Sequence, residues 1–60
     1  MIELTRLNGK QIIINSDLIE SVEENPDTVI TLVNGKKIIV RENRHEVKNL
    51  VKSYKKELMS

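Results

Sequence analysis

Two Asn-Gly pairs, each set between β-branched and aliphatic residues, constrain this chain more than any other feature. The segment around Asn8-Gly9 recurs around Asn34-Gly35, an offset of 26 residues (34 − 8), with Thr, Asn, Gly, Lys and two Ile identical at matching positions. Such a pair is the strongest short-range signal of a two-residue hairpin, because both residues tolerate the positive φ of a type I′ turn. The chain is therefore predicted to fold largely as two β-hairpins.

The length and composition indicate one folded domain without covalent cross-links or a structural metal ion. Sixty residues lie near the lower limit for a chain that folds alone. The absence of cysteine excludes disulfides and a cysteine nucleophile, and it suits a reducing cytosol. Apolar runs reach only three residues, far short of the ~20 that span a bilayer, and no signal-peptide pattern is present. We expect a cytoplasmic protein.

Turn chemistry divides the first part of the chain into about five strands. Asn15-Ser16-Asp17 and Asn25-Pro26-Asp27 predict turns in addition to the two Asn-Gly pairs. Residues 18–24 fit either a short helical turn or an edge strand, and a strand after a tight bend is the favoured interpretation. The predicted strands cover residues 1–7, 10–15, 18–24, 28–33 and 36–41.

After the last strand the hydrophobic period changes from two to 3.6, which predicts a helix from about residue 44 to 58. Asn43 followed three residues later by Glu46 resembles a capping box. The chain 1–60 is then a single domain, with a β-sheet part at 1–42 and a helical part at 43–59. The apolar stripe of the helix consists of Val47, Leu50, Val51, Tyr54 and Leu58.

The expected hairpin register predicts apolar residues on both faces of the sheet. A two-residue loop at Asn8-Gly9 places Leu4 opposite Ile13, so Ile12 and Ile14 point to the other face. One short helix cannot cover two sheet surfaces. The predicted fold is therefore α+β and mostly β, a small antiparallel, barrel-like sheet of about five strands followed by one amphipathic helix. The uncovered apolar face also predicts a homo-oligomer.

The net charge of +1 conceals an uneven distribution along the chain. Residues 16–27 carry five acidic side chains and no basic one, whereas residues 36–56 carry eight basic and two acidic side chains. Such a molecule could associate head to tail or bind a charged partner. Solvated faces whose charges cancel across the folded surface are the favoured alternative.

No constellation of residues points to catalysis, a metal or a cofactor. His45, the single histidine, falls in the first helical turn, with no Ser or Cys nucleophile placed beside it. Neither a metal-ligand motif nor the glycine spacing of a phosphate-binding loop occurs. The sequence predicts a protein that is not an enzyme and has no catalytic, cofactor-binding or metal-binding residues.

Basic side chains are the candidate partner-binding residues. Two arginines lie within predicted strands, and four lysines lie beside the apolar stripe over about 100° of the helix. They could contact an acidic partner, anionic lipid or nucleic acid, while simple solvation is the favoured alternative. Nucleic acid is further disfavoured because Tyr54 is the single aromatic residue. The candidates are Arg6, Arg41, Lys48, Lys52, Lys55 and Lys56.

An ordered set of segments resembles the FlbD/SwrD family of small flagellar proteins. Residues 4–9 (Leu-Thr-Arg-Leu-Asn-Gly) are followed by residues 17–20 (Asp-Leu-Ile-Glu), and the remaining matches lie at 26–32, 34–37 and 40–42. The resemblance covers nearly the whole chain, although the helix matches only in character. Many members have an aromatic residue in the second strand and a proline after the Asn, where this chain has isoleucines and Ser16.

The resemblance implies motility rather than a reaction. Family members are associated with flagellar operons and with support of motor output through the stator units. An accessory protein that binds motor or stator proteins, in the cytoplasm near the membrane, is therefore expected, and no catalytic residue carries over. The alternative is a small RNA-binding regulator of the carbon storage regulator type. Leu4-Thr5-Arg6 before a Gly turn resembles that class, but the second hairpin and the sparse positive charge of residues 1–27 fit it poorly.

Overall fold

Five strands precede one helix, in the order that the sequence predicts. The computed structural model describes residues 1–59, with side chains through residue 57. Residues 19–24 form a strand that follows a tight 3₁₀ turn at Ser16–Leu18, which confirms the favoured interpretation of a strand after a tight bend. The elements are β1 (Ile2–Thr5), β2 (Gln11–Ile14), β3 (Ile19–Glu24), β4 (Thr28–Leu32), β5 (Lys37–Val40) and α1 (Arg44–Met59).

Both hairpins have a three-residue loop, not the predicted two-residue loop. The Gly9 N–H donates to the Arg6 carbonyl at 2.9 Å, and the Arg6 N–H donates to the Lys10 carbonyl at 2.8 Å. Among the described residues only Gly9 and Gly35 have a positive φ, 89° and 87°. This is a type I turn closed by a glycine bulge, so the prediction of type I′ turns was wrong. The Asn8 side chain favours the observed turn, because its Oδ1 accepts the Lys10 N–H at 2.9 Å.

The longer loop shifts each hairpin by one residue, which reverses the faces that side chains share. Leu4 lies opposite Ile12, not Ile13. The first hairpin therefore has one buried apolar face and one mostly polar face, so the prediction of two apolar faces was wrong there. The outer face of the second hairpin keeps the apolar pair Val29 and Ile39 beside Thr31 and Lys37. Ile13 is 64% exposed on the outer face of the first hairpin, and Ile39 is 43% exposed opposite Val29. The homo-oligomer stays a prediction. The buried core consists of Ile2, Leu4, Ile14, Ile30, Leu32, Ile38, Val40 and Val47.

The strands form two antiparallel sheets rather than the predicted barrel-like sheet. β1 pairs with β2, and β3, β4 and β5 form the second sheet in that order. The sheets meet at a single bridge between Arg6 and Val40, where the Arg41 N–H donates to the Thr5 carbonyl at 2.7 Å. Closure would require β2 to pair with β3, but the 3₁₀ turn between them redirects the chain. Helix α1 instead contacts β1 and β3, one strand of each sheet.

Helix α1 begins as predicted and buries a narrower stripe than expected. Asn43 Oδ1 accepts the Glu46 N–H at 2.8 Å, and Glu46 Oε1 accepts the Asn43 N–H at 3.4 Å, which confirms the capping box. Val47 is 1% exposed, and Val51 and Tyr54 pack against the core. Leu50 is 36% exposed because it lies about 60° around the helix from Val47, at the margin of the stripe. The predicted contact of Leu58 falls outside the described side chains.

Candidate partner-binding site

Helix α1 and strand β3 form the two walls of an open groove of about 670 Å³. Its apolar floor consists of Ile19 and Val22 from β3 and Val47 and Val51 from α1. A register shift between Ile19 and Ser21 inserts one residue, so Ile19 and Val22 share a face despite their odd spacing. Because β3 is the outer strand of its sheet, no neighbouring strand within the described chain covers this flank. We call this feature the basic groove.

Cationic side chains line the helical wall of the basic groove. Arg44, Lys48 and Lys52 follow at intervals of four residues and Lys55 three residues later, which sets them in one row on the helix. All four are exposed, and His45 lines the same groove. None of the described lining residues is acidic. The groove is therefore a place of concentrated positive charge on a molecule whose net charge is only +1.

A buried hydroxyl without a partner lies in the same groove. Ser16, the first residue of the 3₁₀ turn, is 7% exposed, and its Oγ has no hydrogen-bond partner within the described chain. The turn around it is well held, because Asn15 Oδ1 accepts the Asp17 N–H at 3.0 Å and the Ser16 carbonyl accepts the Ile19 N–H. A buried unsatisfied polar group costs free energy in the folded state. Ser16 is thus a candidate for contact with a bound group.

The groove brings together three of the six predicted partner-binding residues, Lys48, Lys52 and Lys55. Lys56 is exposed and does not line it. The sequence missed Ser16, which it assigned only to a turn. It also missed Arg44 as a member of the cationic row, although the spacing of four residues from Lys48 was a usable signal.

The two predicted arginines lie elsewhere. The Arg41 side chain donates to the Leu7 carbonyl through Nε at 3.2 Å and Nη2 at 2.9 Å, and so holds the first hairpin loop against the end of β5. Arg6 lines a smaller groove of about 350 Å³ with Lys36 and Lys37, beside β5. Arg41 therefore has a role in the fold, and Arg6 belongs to a second basic surface apart from the groove.

The opposite flank of α1 is acidic and contributes to the fold. The Thr5 N–H donates to both carboxylate oxygens of Glu42, at 2.9 and 3.0 Å. Burial alone raises the pKa of Glu42, but the hydrogen bonds from Thr5 and from its own backbone, with the charge of Arg41, outweigh burial and hold the pKa below its ordinary value. Glu46 on this flank belongs to the capping box. Both carboxylates therefore already accept hydrogen bonds from the backbone of the folded chain.

The described residues include neither a metal-binding group nor a membrane-crossing helix. No group of three or more His, Cys, Asp or Glu is placed to hold a metal ion. The described helices also include no candidate for a membrane-crossing segment, α1 being 16 residues long and rich in lysine.

The fold and the basic groove define a class of protein, a small α+β domain with a cationic, apolar-floored surface suited to a binding partner. The chain belongs to the FlbD family of flagellar and swarming motility proteins, whose family model matches residues 1–59. The predicted resemblance is therefore confirmed, and the protein is a flagellar and swarming motility protein. Neither a curated protein nor a solved structure matches the chain.

Proposed function

We propose that this protein is a non-enzymatic accessory protein of the flagellar motor that supports motor or stator output by binding another protein. Membership of the motility family supports the role in movement. The observation that carries the binding role is the basic groove, with its apolar floor and its row of cations. Apolar surface within a charged rim is the usual anatomy of a protein interface, and complementary charge steers the encounter and sets partner choice.

The proposal places the protein in the cytoplasm, beside the membrane where the motor is anchored. The lack of cysteine is consistent with a reducing compartment. Nothing specific favours the RNA-binding alternative, since the described lining of the groove includes no Phe, Tyr or Trp on which a base could stack.

The proposal is tested by reversing the charge of the cationic row. The Lys48→Glu/Lys52→Glu/Lys55→Glu variant changes the net charge by −6, from +1 to −5. These lysines are exposed, so we expect a wild-type circular dichroism spectrum together with reduced swarming and reduced motor torque. The matched control, Lys10→Glu/Lys36→Glu/Lys37→Glu, makes the same change at exposed lysines outside the basic groove and should keep normal torque.

Two results would count against the proposal. Normal torque after complete deletion of the gene would remove the motor role. Normal torque in the groove variant, with a loss in the control variant, would move the binding surface to the second basic groove around Arg6.

A further inference from the structure

We infer that the basic groove takes a short acidic and amphipathic segment of its partner, and that the buried Ser16 hydroxyl donates a hydrogen bond to one of the segment's carboxylates. The inference rests on the proposed function, because it names the chemistry of the partner for the same groove. It also adds Ser16 as a residue that determines specificity, which neither the sequence nor the family assignment indicates.

The groove requires a ligand with two chemical sides. Ile19, Val22 and Val51 are only partly buried, so apolar surface remains on the floor. A purely charged ligand would leave the apolar floor exposed to water. A purely apolar ligand would remove water from the ammonium groups of Lys48 and Lys52 without supplying an opposite charge, which costs free energy. A segment with apolar side chains on one side and carboxylates on the other satisfies both parts.

Most of the hydrogen-bonding groups in the groove can donate to an acceptor on the ligand. Lysine and arginine side chains carry only donors, and a serine hydroxyl can donate. The Ser16 Oγ is buried without a described partner, so an acceptor that reaches it gains a hydrogen bond and removes the cost of leaving the hydroxyl unpaired. A carboxylate beside the cationic row supplies this acceptor and the complementary charge together.

The dimensions favour a segment over a broad flat surface. A volume of about 670 Å³ is in the range of pockets that enclose a few side chains. A phosphate group would also supply acceptors, but it would leave the apolar floor uncovered. The observations therefore favour an acidic peptide over a phosphate-bearing ligand.

The test is a titration of the full-length ¹⁵N-labelled protein with a short synthetic peptide that alternates glutamate and leucine, followed by NMR. We expect saturable shifts of the amides of Ser16, Val22 and Lys52, and binding at least about tenfold weaker when every glutamate of the peptide is glutamine. Inorganic phosphate, titrated in parallel, should neither bind with comparable affinity nor displace the peptide.

Ser16→Ala gives the sharper readout, because its two expected effects have opposite signs. Loss of the hydrogen bond to a carboxylate should weaken peptide binding by about tenfold, which corresponds to ~1.4 kcal/mol. Removal of an unpartnered hydroxyl should leave the Tm of the free protein unchanged or raised. Ser53→Ala, at an exposed serine on the acidic flank of α1, is the matched control for binding and should leave the peptide affinity unchanged.

Several outcomes would overturn the inference. The first is that the glutamine peptide binds as tightly as the glutamate peptide, and the second is that NMR shifts occur only at residues outside the groove. The third is that phosphate displaces the peptide, and the fourth is that Ser16→Ala binds the peptide with unchanged affinity. Motor torque lost in the lysine-to-glutamate variant, without any peptide binding by the wild type, would overturn this inference and leave the proposed function standing. Normal torque after gene deletion would overturn the proposed function by a separate measurement.

Discussion

At the residue scale, Glu42 links the end of the second sheet to the first sheet. Its carboxylate accepts the Thr5 N–H beside the bridge between Arg6 and Val40. Burial opposes ionisation, but these hydrogen bonds and Arg41 keep the pKa of Glu42 below its ordinary value of 4.5. A depressed folded-state pKa stabilises the fold above the unfolded pKa, and this stabilisation is lost as the pH falls through the folded pKa. We therefore expect the free energy of unfolding to decrease below about pH 4.5, and to decrease less steeply in Glu42→Gln. Urea titrations at a series of pH values measure this dependence.

The control is Glu20→Gln, which removes an exposed carboxylate. If both variants weaken the pH dependence of the unfolding free energy equally, the role of Glu42 is contradicted.

At the element scale, α1 is held by a narrow stripe, which makes neighbouring positions unequal. Val47 is 1% exposed, whereas Leu50 is 36% exposed. Val47→Ala removes two buried methyl groups and leaves a cavity, so it should cost about 2–3 kcal/mol of unfolding free energy. Leu50→Ala removes three carbons from a site that is 36% exposed and should cost about 1–1.5 kcal/mol, less than Val47→Ala. Urea unfolding followed by circular dichroism measures both values. A larger loss at Leu50 would mean that the helix is rotated from the orientation described.

At the scale of the whole molecule, α1 completes a fold that neither sheet completes alone. The sheets share one bridge, at Arg6 and Val40, and α1 contacts a strand of each. A domain this small has little stability to lose. Deletion of residues 44–60 should therefore abolish the strand signal in circular dichroism together with the helical signal, whereas the full chain should unfold in one cooperative transition. A shortened chain that keeps a cooperative melt would show that the sheets are stable without the helix.

Part of the candidate site could be predicted from the sequence, because the exposed positions of a helix follow from its period. Lys48, Lys52 and Lys55 were identified in this way, and the structure places them along one groove. The sequence did not distinguish Arg41 from these lysines. Its structural role depends on hydrogen bonds to the Leu7 carbonyl, which lies in the other hairpin, 34 residues earlier in the chain. Ser16 carried no signal, because the burial of its hydroxyl depends on how distant elements pack around the turn.

Features that depend on neighbouring residues could be predicted from the sequence. The strands, the turns and the start of α1 follow from side-chain period, turn chemistry and the Asn43–Glu46 capping box, all of which act over a few residues. The register, the open arrangement of two sheets and the basic groove became visible in the folded molecule. Asn-Gly is compatible with a two-residue and with a three-residue loop, and the loop length sets which isoleucines are buried. The hydrogen bond from the Lys10 N–H to Asn8 favours the longer loop locally, and the same register buries Leu4 and Ile14 in a core shared with Val47 of α1. Those core contacts join residues that are distant along the chain, so neighbouring residues alone do not indicate them.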